Sequence, residues 1–157
     1  EMPGCLFPCR CTIPSAGTPC QLTVSDLGVD PQVITATYGG DAGHATSSGS
    51  YSQSITTAAT TTTLTLTPSS FVFGQATTLT AVVRSATGLP TGSVSFADGA
   101  KSLGSCTLSA VDASSATCTT SRTDISAGSR TIAATYAGDG NYLGSTTSAA
   151  ARIPSFM

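Results

Sequence analysis

The chain has 157 residues, enough for one domain of average size or two small ones. Charged residues make up only 9% of it, against about 25% in a typical globular domain, and Ser, Thr, Gly and Ala dominate, so solubility rests on hydroxyls and backbone rather than on ions. The formal charge is −2 and the six Lys and Arg residues (Arg10, Arg84, Lys101, Arg122, Arg130, Arg152) are dispersed, which argues against nucleic acid as a partner, because neutralising phosphates takes clustered cations.

The opening Glu1-Met2-Pro3-Gly4-Cys5 lacks a basic stretch leading into an apolar core, so it does not read as a signal peptide; the expectation is a leader already removed, or a fragment. No run approaches the roughly 20 apolar residues of a membrane helix, and no membrane insertion is expected. Six cysteines follow: Cys5, Cys9, Cys11, Cys20, Cys106 and Cys118. An even set in a small, ion-poor chain favours disulfides and an oxidising compartment. Zinc is the rival reading, but it wants paired knuckles or matching histidines, and the crowded cysteines here are accompanied by a single distant His44. The expectation is no metal and no cofactor.

Next comes an internal repeat. Gln32-Val33-Ile34-Thr35-Ala36-Thr37-Tyr38-Gly39-Gly40-Asp41 returns 98 residues later as Arg130-Thr131-Ile132-Ala133-Ala134-Thr135-Tyr136-Ala137-Gly138-Asp139. The same offset carries Cys20 onto Cys118, Asp26 onto Asp124, Leu27 onto Ile125 and His44 onto Tyr142, while Cys11 falls on Cys106 at an offset of 95. A period of this size is too long for a solenoid and suits a whole sandwich domain. The expected organisation is a partial repeat over residues 1–55, matching only the second half of the unit, a complete domain over residues 56–150, and a tail over residues 151–157.

Inside the complete copy, strand and turn alternate throughout. Thr63-Leu64-Thr65-Leu66-Thr67 has the period-2 pattern of a half-buried strand and stops at Pro68-Ser69-Ser70. Further strands are expected over residues 78–84, 93–96, 103–108, 116–120, 130–136 and 143–149, with Asp98-Gly99 as a hairpin turn. No window carries clean helical spacing, so the fold class expected is all-β, a Greek-key sandwich of about seven strands.

The segments Pro90-Thr91-Gly92-Ser93-Val94-Ser95-Phe96, Leu103-Gly104, Ser126-Ala127-Gly128 and residues 131–142 together resemble the bacterial Ig-like repeat family. The resemblance covers residues 60–150, with residues 11–54 as a half-copy. It implies an immunoglobulin-like Greek-key sandwich, tandem neighbours, and a stalk, spacer or adhesive role in secreted or surface proteins. The Cys-rich start and the tail from Arg152 match nothing in that family.

Cys106 and Cys118 lie symmetrically about Asp112, so a hairpin looped there would face residue 107 with 117 and place the two sulfurs on opposite strands, as a cross-strand bridge requires. Closing a loop of about 13 residues would stabilise the fold by roughly 3 kcal/mol in the chain-entropy model. Cys11 and Cys20 would repeat the device; Cys5 and Cys9 are further disulfide candidates whose pairing the sequence leaves open. A redox-active cysteine would need neighbouring cations or a helical C-x-x-C, and neither is visible.

Tyr38 and Tyr136 end alternating strands and are expected to bury their rings while the hydroxyl bonds backbone. Asp41 and Asp139 invite a calcium reading, but one carboxylate beside Asn141 supplies too few oxygens, and a turn-stabilising role fits better. His44, the sole histidine, sits in the broken copy where the intact one has Tyr142, so a Ser-His-Asp centre is not expected. Leu89-Pro90-Thr91-Gly92 is superficially similar to a sortase signal but lacks its fifth residue, apolar segment and basic tail; it reads as a turn.

The expected function is therefore a structural, spacer or adhesive module without catalysis, outside the cell or on its surface, with neighbouring Ig-like repeats as partners. The other reading is a binding module recognising carbohydrate or a host protein through loops at the sandwich ends. Few aromatics and no Trp weigh against a sugar-stacking platform.

Overall fold

The computed structural model describes residues 11–13, 19–24 and 27–154; Cys5, Cys9 and Asp26 lie outside them. The chain divides into two compact units, Glu1–Thr56 and Thr57–Met157. Among the described residues there is no α-helix, and every regular element is a strand in an antiparallel sheet.

The first unit carries one hairpin. Strand β1 (Gln32–Tyr38) pairs with β2 (Ser47–Gln53), from Gln32 opposite Gln53 to Tyr38 opposite Ser47.

The second unit holds eight strands: β3 (Thr60–Thr67), β4 (Thr77–Ser85), β5 (Ser93–Asp98), β6 (Lys101–Thr107), β7 (Ser109–Ala110), β8 (Ser115–Arg122), β9 (Gly128–Gly138) and β10 (Leu143–Ile153). They form two four-stranded sheets, ordered β3-β4-β8-β7 and β10-β9-β5-β6. Strands remote in sequence are neighbours in both (β4 with β8, β5 with β9), which is the Greek-key crossing of an immunoglobulin-like sandwich. Alternation drives the packing. Along β4, Leu79, Ala81 and Val83 point inward, and β9 answers with Ile132, Ala134 and Tyr136, all buried. Val94 and Phe96 of β5, together with Ile125, complete the centre of the core.

A β-bulge between β5 and β6 leaves Leu103 as the extra residue, and the chain uses it to turn that side chain fully into the core. The two-residue loop Gly99-Ala100 closes this hairpin at the expected Asp98-Gly99 turn.

Strand β10 is longer than its sequence suggested. It runs on to Ile153, so residues 151–153 belong to the sandwich rather than to a tail, and Ala151 and Ile153 are buried at 1% and 2% exposure. A run of small residues ending in Arg152 looks uninformative, but Ala151 and Ile153 keep the inward phase set by the residues before them.

Both open sides of the sandwich are closed. On one, β3 lies beside β10: Ala58 donates its N–H to Asn141 and accepts from Leu143, each at 2.8 Å, and the Thr60 and Thr62 hydroxyls meet the Ser145 hydroxyl at 2.8 and 2.7 Å. Isolated bridges pair Ala58 with Tyr142 and Ser70 with Arg152, both parallel. On the other side a disulfide joins Cys106 of β6 to Cys118 of β8, with Cα atoms 5.7 Å apart. This corrects the expected geometry. The bridge spans the two sheets rather than two strands of one hairpin, because the chain leaves its first sheet at Leu108, and the short hairpin about Asp112 pairs Ser109 with Thr117.

Candidate functional site

Glycine and aspartate shape the turn between β9 and β10. Gly138 takes φ of 90°, and a Cβ there would lie 2.7 Å from the Tyr142 carbonyl, so only glycine fits. Asp139 donates its N–H to the Tyr142 carbonyl at 3.0 Å, while its Oδ1 accepts the N–H groups of Asn141 and Tyr142 at 2.8 and 2.9 Å. Its Oδ2 reaches out of the turn and accepts from the Thr91 N–H at 3.0 Å and the Thr91 hydroxyl at 2.7 Å. Partial desolvation of this carboxyl works to raise its pKa, but the donors from Thr91, Asn141 and Tyr142 outweigh it and hold the value at about 2.

Thr91 is the residue whose role the sequence did not disclose. Leu89-Pro90-Thr91-Gly92 is an irregular loop leading into β5 and not the expected turn, with Pro90 buried, and Thr91 ties that loop to a turn 48 residues away. The only advance signal was a hydroxyl residue between Pro and Gly just before a strand. Tyr136, beside this pair, is 1% exposed. Its hydroxyl is buried without a hydrogen-bond partner, contrary to the expected backbone bond, and burial first, then the Asp139 carboxylate, pushes its pKa up to about 12.

A closely similar turn recurs in the first unit, except that the His44 N–H bonds the Asp41 carbonyl at 3.3 Å where the Tyr142 N–H bonds the Asp139 side chain. Gly40 takes φ of 76°, and a Cβ there would lie 2.8 Å from the His44 carbonyl. Asp41 donates its N–H to the His44 carbonyl at 3.0 Å, and its Oδ1 accepts the Gly43 N–H at 2.8 Å. Its other contacts differ. Oδ1 lies 2.8 Å from Nδ1 of the exposed His44, and Oδ2 accepts the Tyr38 hydroxyl at 2.8 Å, so this tyrosine bonds a carboxylate instead of backbone. The Gly43 N–H, then His44 and Tyr38, lower the Asp41 pKa, and the bond to Asp41 raises that of Tyr38.

A second disulfide joins Cys11 to Cys20 in the first unit, with Cα atoms 5.9 Å apart; both residues are exposed. Several charged residues of the second unit are engaged locally. Arg122 grips Asp124 through Nε and Nη2 at 2.9 and 2.8 Å, Lys101 joins them at 3.1 Å, and together the two cations hold the Asp124 carboxyl at about 2. Asp112 accepts from Ser115 and Ser114 in the β7–β8 hairpin, which lowers it likewise to about 2. Among the described residues no three His, Cys, Asp or Glu side chains converge, and no helix is long and apolar enough to cross a membrane.

No curated protein matches the chain. A family does: residues 64–153 match the bacterial Ig-like domain (group 3), a span that covers β4 to β10 entire and ends at the residue where β10 ends. With its two-sheet Greek-key architecture and that match over more than half its length, the chain belongs to the bacterial Ig-like domain family, group 3.

Proposed function

We propose that the chain is a non-catalytic spacer or adhesive module of a bacterial secreted or cell-surface protein, and that its partners are neighbouring Ig-like repeats. One observation carries the reading. Strands β3 and β10 run side by side in the same direction, with Ala58 bridged to Tyr142 at one end and Ser70 to Arg152 at the other. The chain therefore enters the sandwich at one pole and leaves at the opposite one. Copies joined head to tail add their lengths, and the 11 residues of β10 at about 3.3 Å each give roughly 35 Å per copy. The disulfides fit an oxidising compartment, as expected outside the cell.

Small-angle scattering from head-to-tail arrays of residues 57–154 provides the test. The largest dimension should grow by about 35 to 40 Å per copy. An array that folds back into a compact particle would overturn the spacer reading. Saturable binding to a glycan or host protein, lost when loops at one pole are exchanged, would instead establish recognition of carbohydrate or a host protein as the module's task.

A further inference from the structure

The hairpin of the first unit duplicates the β9–β10 hairpin residue by residue. Tyr38 opposite Ser47 and Gln32 opposite Gln53 correspond to Tyr136 opposite Ser145 and Arg130 opposite Ala151. The alignment continues past the strand: the Asp30 N–H reaches the Ile55 carbonyl at 3.1 Å, where Gly128 pairs with Ile153. The side chains on one face of β1, Ile34, Ala36 and Tyr38, are identical to Ile132, Ala134 and Tyr136. What lies beside them is not. In the second unit β5 pairs with the outer edge of β9, setting Val94 opposite Tyr136, Ser95 opposite Thr135 and Phe96 opposite Ala134. Among the described residues β1 pairs only with β2, and Ile34 and Ala36 are exposed.

We infer that the free edge of β1 is an acceptor site for one extended strand, and that its occupant is the β5-type segment of an Ig-like repeat, Pro-Thr-Gly-Ser-Val-Ser-Phe. Its valine would lie opposite Tyr38 and its phenylalanine opposite Ala36, in the register β5 keeps with β9. Its threonine would bring N–H and hydroxyl to Asp41 Oδ2, displacing the Tyr38 hydroxyl that now occupies that oxygen. The choice of occupant follows from the chain itself, which already pairs this segment once with the edge of a strand carrying the same three side chains. The β2 face departs from the pattern, with Tyr51 and Gln53 where β10 has Ala149 and Ala151, so the claim is for the β1 edge alone. The proposed function bears only on the source of the strand, and scattering from arrays of the second unit does not touch the site.

Two experiments on the full chain decide it. In the first, a copy of residues 57–105 replaces residues 1–10, so that Cys11 follows it as Cys106 follows the original. Amide exchange is then read along β1. The amides between Ile34 and Tyr38 that do not bond to β2 should slow by about 100-fold or more. In the second, a peptide with the sequence of residues 88–98 is added to the unaltered chain. It should shift the signals of residues 34–41, and a peptide carrying Thr91→Val should bind about tenfold more weakly. Either result supports the site. Unchanged β1 exchange in the first experiment together with no shift, or shifts only elsewhere, in the second overturns it. Protection of β1 that grows with the concentration of unaltered chain alone would overturn the choice of occupant in favour of a second copy.

Discussion

Ile34 and Ile132 occupy one position in two copies of the same hairpin, yet Ile34 is 39% exposed and Ile132 0%. The residue type is the same and the surroundings differ, Ile132 being packed in the core with Leu79 and Val83 of the opposite sheet, so one substitution made in both places separates burial from identity. Ile132→Ala should cost the second unit about 3 kcal/mol, and Ile34→Ala well under about 1 kcal/mol in the first. Urea unfolding followed residue by residue checks the contrast. Equal losses would mean that Ile34 is covered in solution.

Asp139 links pH to stability. Its carboxyl sits at about 2, below the roughly 3.9 of an unfolded chain, so the stability it contributes is fully present above about pH 4 and is lost as pH falls through about 2. Asp139→Asn keeps an acceptor for the Asn141 and Tyr142 N–H groups but turns a donor toward the Thr91 N–H. It should destabilise the second unit at neutral pH by about 1 to 2 kcal/mol and shrink the difference between wild type and variant at pH 2. A gap that stays constant from pH 7 to pH 2 would contradict the assignment.

The disulfide between the sheets should matter more to the unfolded ensemble than to the folded contacts. Replacing Cys106 and Cys118 together by Ser should lower stability by about 3 kcal/mol, and reductant should lower the wild type by a similar amount while leaving the variant unchanged. Reductant-insensitive melting of the wild type's second unit would argue that the bridge is not formed.

Asp30 holds φ of 122° at the position where Gly128 holds 110°. An L side chain is strained there and glycine is not. Asp30→Gly should therefore stabilise the first hairpin, by about 1 kcal/mol, visible as slower exchange of the β1 and β2 amides. Faster exchange would show that the Asp side chain is making a contact worth more than the strain.

Local and periodic features of the fold were legible in the sequence. The alternation of Thr63 to Thr67 and the Asp98-Gly99 turn are encoded in neighbouring residues, and the repeat placed the Tyr38 and Tyr136 hairpins in matching register. The features that depend on where the chain crosses between sheets were not. Nothing in the symmetry of Cys106 and Cys118 about Asp112 reveals that Leu108 leaves one sheet and Ser109 joins the other. The Thr91 contact to Asp139 joins loops 48 residues apart, and no spacing rule connects a loop threonine to a particular aspartate. The buried end of β10 was missed because a strand of small side chains carries weak hydrophobic contrast, even though Ile153 keeps its phase.

The parallel alignment of β3 with β10 also decides how a sandwich of this kind meets a mechanical load. Tension applied through residues 57 and 154 draws these two strands lengthwise past each other. The Ala58, Thr60, Thr62 and Phe71 bonds to β10 then bear it together and do not peel open one at a time. Once that seam gives way, the covalent loop from Cys106 to Cys118 still cannot lengthen, so part of the domain stays short under a pull that straightens the rest.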